Sequence, residues 1–135
     1  MSHAGDLTPT EAYELLQRDP DAVLVDVRTK AEWSYVGTPV APGRDVVLVE
    51  WQTFPAGTPN TRFLEQLEAA GVRRAVPIAF ICRSGVRSLS AARAATAAGF
   101  GPAYNVSDGF EGPLDPQGHR GVRGWKASGL PWRQS

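Results

Sequence analysis

Pro77-Ile78-Ala79-Phe80-Ile81-Cys82-Arg83-Ser84-Gly85-Val86-Arg87-Ser88 is an apolar run that breaks into a polar, glycine-centred turn, with an alanine-rich stretch following over residues 88–98. Continuous β-branched and aromatic residues suit a strand covered on both faces. The alanine-rich stretch, closed by Gly99, reads as a helix with a glycine just past its end. Strand, turn and helix in that order form one unit of an α/β sheet. The same alternation extends outward in both directions. Thr8, Pro9 and Glu11 make a capping box with proline at the first helical position, and Ala12, Leu15 and Leu16 fall on one face of that helix. Asp19-Pro20-Asp21 stops it, and residues 22–27 (Ala22-Val23-Leu24-Val25-Asp26-Val27) read as a buried strand. A loop and short helical turn over 28–36 carry Glu32 and Trp33, and 37–44 is rich in turn residues. Residues 45–51 read as a further strand and 55–59 as a loop. Asn60 is expected to cap a helix bearing Phe63, Leu64, Leu67 and Ala70 and ending at Gly71. Residues 104–106 read as the last strand. The fold class that follows is α/β, with a central, mostly parallel sheet of about five strands and helices on both faces. Residues 1–6 are expected to be disordered, 112–124 to form a flexible loop and 125–135 a tail anchored by tryptophan.

The 135 residues are enough for one domain with a sizeable core and too few for two. Hydrophobic residues at 42% and charged residues at 21% exclude a disordered chain. Fourteen basic residues balance fourteen acidic ones, so no basic excess points to nucleic acid as a partner. No apolar stretch approaches the roughly eighteen residues a membrane-spanning helix needs, and no membrane partner is expected. One cysteine excludes an intramolecular disulfide and a multi-cysteine zinc site, and no metal or cofactor is expected. With no basic and apolar leader at the N-terminus, a cytoplasmic location is the expectation.

Ligands of open α/β sheets bind outside the carboxyl ends of the strands, which puts the turn after residue 81 in view. It places the single thiol, Cys82, at a strand end ahead of a helix N-terminus. A glycine-centred loop can turn its backbone N–H groups inward as an anion nest, reinforced by the helix dipole. Arg83 and Arg87 flank it. Together these groups favour thiolate over thiol and make Cys82 the candidate nucleophile, provided that its sulfur is reachable from solvent. The plainer alternative is a cysteine serving as a small buried hydrophobe. A loop carrying two arginines argues against it, because buried guanidinium groups need counter-charges. The N–H groups from Arg83 to Ser88 are expected to hold the developing charge, and Arg83 and Arg87 the anionic end of a substrate. Arg83, Ser84, Gly85, Val86, Arg87 and Ser88 are thus the candidate binding residues. Asp26, Arg28 and Glu32, spaced around a strand end, suit an ion-paired structural support for that loop.

The loop from Cys82 to Ser88 resembles the active-site loop of single-domain rhodaneses. So do Leu24-Val25-Asp26-Val27-Arg28 with Glu32-Trp33 and Gly37, and the stretch from Asn105-Val106 through Gly109-Phe110-Glu111-Gly112 to Trp125 and Gly129-Leu130-Pro131-Trp132. The resemblance covers residues 7–132. It departs at residues 37–43, where a histidine-containing stretch is common in the family, and at Asp108-Gly109, where a glycine pair is usual. It implies a sulfurtransferase that takes a sulfane sulfur from thiosulfate or a related donor as a Cys82 persulfide. Cyanide or a thiol is the implied acceptor, with a protein sulfur acceptor as a further partner. Two other readings stay open: a phosphatase or arsenate reductase using the same anion cradle, and a non-catalytic rhodanese-like binding module. Phosphatase loops of this kind set an arginine after the cysteine and five further residues. Here Ser88 holds that place.

Overall fold

Thirteen segments of regular structure account for the computed structural model, which describes residues 2–134. In chain order they are β1 (Gly5–Leu7), α1 (Pro9–Arg18), β2 (Val23–Asp26), α2 (Lys30–Tyr35), β3 (Thr38–Pro39), β4 (Val47–Leu48), β5 (Gln52–Thr53), β6 (Thr58–Pro59), α3 (Phe63–Ala69), β7 (Ile78–Ile81), α4 (Val86–Ala97), β8 (Ala103–Val106) and β9 (Trp132–Arg133). The central sheet runs β1-β8-β7-β2-β4, and every neighbouring pair in it is parallel. β7 is its middle strand and is buried along its whole length.

The alternation of side chains along a strand divides the core in two. On one face Ile78, Phe80 and Cys82 pack with Val25, Phe63, Leu67, Ala91 and Ala95, under α3 and α4. On the other, Ala79 and Ile81 pack with Leu24, Leu15, Leu16, Val106, Phe110 and Trp125, under α1. The expected α/β sheet with helices on both faces is what the chain builds. α1 begins at the Thr8 capping box, its hydroxyl accepting from Glu11 N–H at 3.1 Å while Glu11 Oε1 accepts from Thr8 N–H at 2.9 Å.

Four expectations need correction. The stretch over 1–6 is not disordered throughout: Gly5–Leu7 pairs with Tyr104–Val106, and Ala4 N–H donates to Ala103 O at 2.8 Å. The free edge of β8 supplies the reason, since its backbone groups need partners. Met1 lies outside the described residues. The run over 45–51 gives the sheet only Val47–Leu48; Gln52–Thr53 leaves it to pair antiparallel with Thr58–Pro59, inside the expected loop. Asn60 stands before α3 rather than capping it: its Oδ1 accepts from Arg62 N–H at 3.1 Å, and Arg62 is the cap residue. The turn-rich stretch after residue 36 contributes Thr38–Pro39, which pairs antiparallel with Trp132–Arg133.

That pairing helps fasten the tail. Trp125 is fully buried, meets Tyr13 edge-on at 5.7 Å and donates Nε1–H to Pro131 O at 2.7 Å. The loop over 112–124 carries its own ties, among them Arg120 Nη1 to Gly112 O at 2.7 Å and Asp115 Oδ1 accepting from His119 N–H at 2.8 Å. No helix among the described residues is long and apolar enough to cross a membrane.

Candidate active site

Cys82 follows the last residue of β7, at the carboxyl end of the middle strand, and the chain enters α4 at Val86. Gly85 makes the turn possible. It caps α4 with φ of 103°, and a Cβ there would collide with the Ser107 carbonyl. The loop's base is held by a second segment: Phe110 N–H donates to Cys82 O at 2.8 Å and Glu111 N–H to Arg83 O at 3.0 Å. Gly109 lets that segment approach, because a Cβ on it would run into the Arg83–Ser84 peptide.

The sulfur, at the edge of the apolar core under α3 and α4, has two polar neighbours. Gly85 N–H donates to Cys82 Sγ at 3.1 Å, and Ser88 Oγ lies 3.2 Å from it. Among the described residues Gly85 supplies the one loop N–H bonded to sulfur, where a whole ring of amides was expected. Ser88, fully buried, sends its hydroxyl proton to Asn105 Oδ1 at 2.6 Å. Its lone pairs therefore remain to accept from a Cys82 S–H, while Gly85 N–H serves the thiolate. Cys82 itself is only 1% exposed, so the open, solvent-facing nucleophile expected from the sequence is not what the resting loop presents. The cause is the tightness of the turn, with Gly85 and Ser88 folded onto the sulfur.

Both arginines are engaged by carboxylates. Arg87 makes a two-pronged pair with Glu32, Nη1 to Oε1 at 2.7 Å and Nη2 to Oε2 at 2.9 Å, and both side chains are about one-fifth exposed. Burial pushes the Glu32 carboxyl up, but hydrogen bonds from Arg87 and from Thr29 N–H outweigh it and hold the group at about 2. Arg87 is raised above its usual range by its hydrogen bonds to Glu32, against the opposing effect of burial. Arg83 is the freer of the two: it is half-exposed, with Nε 3.3 Å from Glu111 Oε2. Glu32, Val36, Phe54, Arg83, Arg87 and Glu111 line a cavity of about 360 Å³ at this mouth.

The expected support group splits. Asp26 and Arg28, both fully buried, pair with each other through Nη2 to Oδ2 at 2.7 Å and Nε to Oδ1 at 3.0 Å. Arg28 also donates to Gly37 O at 2.6 Å and stacks over the Phe110 ring at 4.4 Å. It thereby ties the end of β2 to the segment beneath Cys82. Glu32 leaves that pair and joins the mouth through Arg87. Val86, expected to line the binding loop, is 74% exposed at the start of α4.

Sequence reading missed Asn105 and Glu111. Asn105 is 4% exposed and two residues beyond buried Ala103 on β8, so a polar side chain on an inward strand position was the signal. Nothing local marks Glu111 as the partner of Arg83.

A parallel α/β domain with a cysteine-led, glycine-turned loop at the carboxyl end of its middle strand defines a class, and comparison with known proteins places the chain within it. Residues 8–113 match the family model of the rhodanese-like domain. The chain belongs to that family. It is similar to Rv0390 from M. tuberculosis, whose crystal structure superposes with a TM-score of 0.91 at 57% identity, covering 99% of this chain and 100% of that one. An uncharacterized protein of Rickettsia conorii is 37% identical, covering 95% of this chain and 96% of its own length. The polysulfide-sulfur transferase homodimer of Wolinella succinogenes superposes with a TM-score of 0.64 at 25% identity, covering 96% of this chain and 78% of that one.

Proposed function

We propose that this protein is a sulfurtransferase that carries a sulfane sulfur as a persulfide on Cys82. The observation that carries the reading is the setting of Cys82 Sγ at the head of the loop, with Gly85 N–H at 3.1 Å and Ser88 Oγ at 3.2 Å as its polar partners. The polysulfide-sulfur transferase of similar fold supports it. In the first step the Cys82 thiolate attacks the outer sulfur of thiosulfate or a related donor. The new S–S bond forms at Sγ, the donor's S–S bond breaks, and sulfite leaves with the electron pair. In the second step a cyanide or thiol acceptor attacks the terminal sulfur and returns the thiolate. The transfer is divided into two displacements, each without an external oxidant.

The burial of Sγ sets a condition on both steps. The turn from Ser84 to Arg87 must move aside by about the width of a sulfur atom, and the persulfide then gains the loop's N–H groups as donors. Arg83, half-exposed and held by a single longer contact, is the guanidinium that meets the donor's charged end. Arg87 acts through Glu32 to hold α2 against the loop. Nothing in the chemistry calls for a metal or an organic cofactor.

Intact-mass measurement after incubation with thiosulfate is the test. Wild type gains one sulfur atom, lost again on adding cyanide, and Cys82→Ser gains none. Hydrolysis of an aryl phosphate with no sulfur gain would overturn the reading in favour of a phosphatase. Sulfur transfer that persists in Cys82→Ser would overturn the assignment of Cys82, and absence of both activities in wild type would overturn the reading in favour of a binding module.

A further inference from the structure

The polar contacts of Cys82 do not end at Ser88. Ser88 Oγ, 3.2 Å from Sγ, donates to Asn105 Oδ1 at 2.6 Å, and Asn105 Nδ2 donates to Asp6 Oδ1 at 3.4 Å. Asp6 in turn meets His3 Nε2 at 2.8 Å, so a chain of hydrogen bonds runs from the buried sulfur through β8 to an exposed carboxylate on β1. Charged groups on the neighbouring segments are paired off, Asp26 with Arg28, Glu32 with Arg87 and Arg83 with Glu111. The direction of the neutral bonds is left to favour one form of the sulfur over the other.

In this arrangement the Ser88 proton points at Asn105 and only lone pairs face Sγ, which suits a thiol donating its S–H and opposes a thiolate. Turning the Ser88 proton to Sγ strands the Asn105 amide oxygen, and Asn105 is only 4% exposed. A primary amide escapes this by turning over. Nδ2 then donates to Ser88 Oγ, Ser88 donates to Sγ, and Asp6, whose side chain is 57% exposed, swings into water. We propose that Asn105 is a positioning residue whose amide has two settings, Oδ1 toward Ser88 for the resting thiol and Nδ2 toward Ser88 for the attacking thiolate. This rests on the persulfide reading above and assigns the group that readies its nucleophile. The thiol proton passes to water when the turn opens, and Asp6 favours the resting setting.

Rates of Cys82 alkylation by iodoacetamide, followed across pH, test this. A loosened turn raises the rate at every pH, whereas a change in hydrogen-bond direction moves the pH of half-maximal rate. Asn105→Asp, an acceptor only, is expected to raise that midpoint by about one pH unit, and Asn105→Leu, which frees the Ser88 proton for Sγ, to lower it by about as much. In a Ser88→Ala background both shifts should shrink. Midpoints that stay at the wild-type value, move the same way in both variants, or shift as much without Ser88 overturn the inference and leave the persulfide reading standing. Should Asn105→Leu fail to fold, Asn105→Asp with and without Ser88 decides in the same way. A wild type that gains no sulfur from thiosulfate overturns the persulfide reading, whatever the midpoints.

Discussion

At the scale of single residues, the site rests on one ion pair that reaches across the sequence. Arg87 and Glu32 are 55 positions apart, and neither says by its neighbours that it will meet the other. Cys82, Gly85 and Ser88, by contrast, lie within one turn of chain, so their grouping follows from local geometry and could be read directly. For the same reason Arg83 and Arg87 were legible as flanking the cysteine; Glu32 was legible as support for the loop but not as the partner of Arg87, and Glu111 was not legible at all. The pairing has a pH signature. Glu32 sits at about 2 in the folded protein against an ordinary 4.5, so the folded state binds its proton less readily than the unfolded chain. Its stabilisation is fully present above pH 4.5 and is lost as the pH falls toward 2. Glu32→Gln is therefore expected to cost about 2 kcal/mol at pH 7, after allowing for partial solvent screening. Urea denaturation at pH 7, 4 and 3 should show that difference shrinking at the two lower values. A difference independent of pH would mean that packing of the side chain, and not its charge, is what matters.

Among the elements, α2 is the one through which local sequence acts on the site. Thr29 caps it, its Oγ1 accepting from Glu32 N–H at 3.3 Å, while Glu32 Oε1 accepts from Thr29 N–H at 3.1 Å. The carboxylate that closes the capping box is the one that grips Arg87, so helix start and loop position are set by the same side chain. Thr29→Ala is expected to cost about 1 kcal/mol. It should also lower the rate of persulfide formation, measured by intact mass over time. A stability loss with an unchanged loading rate would detach the cap from the loop. The elements with strong periodicity or caps, α1, β2, β7 and α4, were readable to within a few residues. β5 and β6 were not. They are two-residue strands of polar and proline residues, Gln52–Thr53 against Thr58–Pro59, with no alternation for a pattern to catch. β1 escaped for a related reason, since its Gly5–Leu7 backbone becomes a strand only because β8 offers an edge.

For the whole molecule, class and layering were legible because apolar runs alternate with helical segments from α1 to α4; strand order was not, since it depends on which edges find partners. The C-terminal third matters more to the site than its turn-rich composition suggests. Trp125 N–H donates to Gly109 O at 2.8 Å and Lys126 N–H to Phe110 O at 3.2 Å, and Phe110 in turn donates to Cys82 O. A continuous run of backbone bonds thus links the tail to the loop. Trp125→Ala is expected to destabilise the fold by about 3–5 kcal/mol, seen as a lower urea midpoint. Persulfide formation should fall even at concentrations of urea where the variant is still folded; unaltered loading in the folded variant would confine Trp125 to packing.

This linkage bears on how the protein comes into being. A ribosome releases Cys82 before Asn105, Phe110 and Trp125, so during synthesis the thiol emerges with no Asn105 to orient Ser88 and no Phe110 to brace the turn. Nascent or prematurely terminated chains would expose a bare sulfhydryl to oxidants, and only the finished polypeptide would shield it.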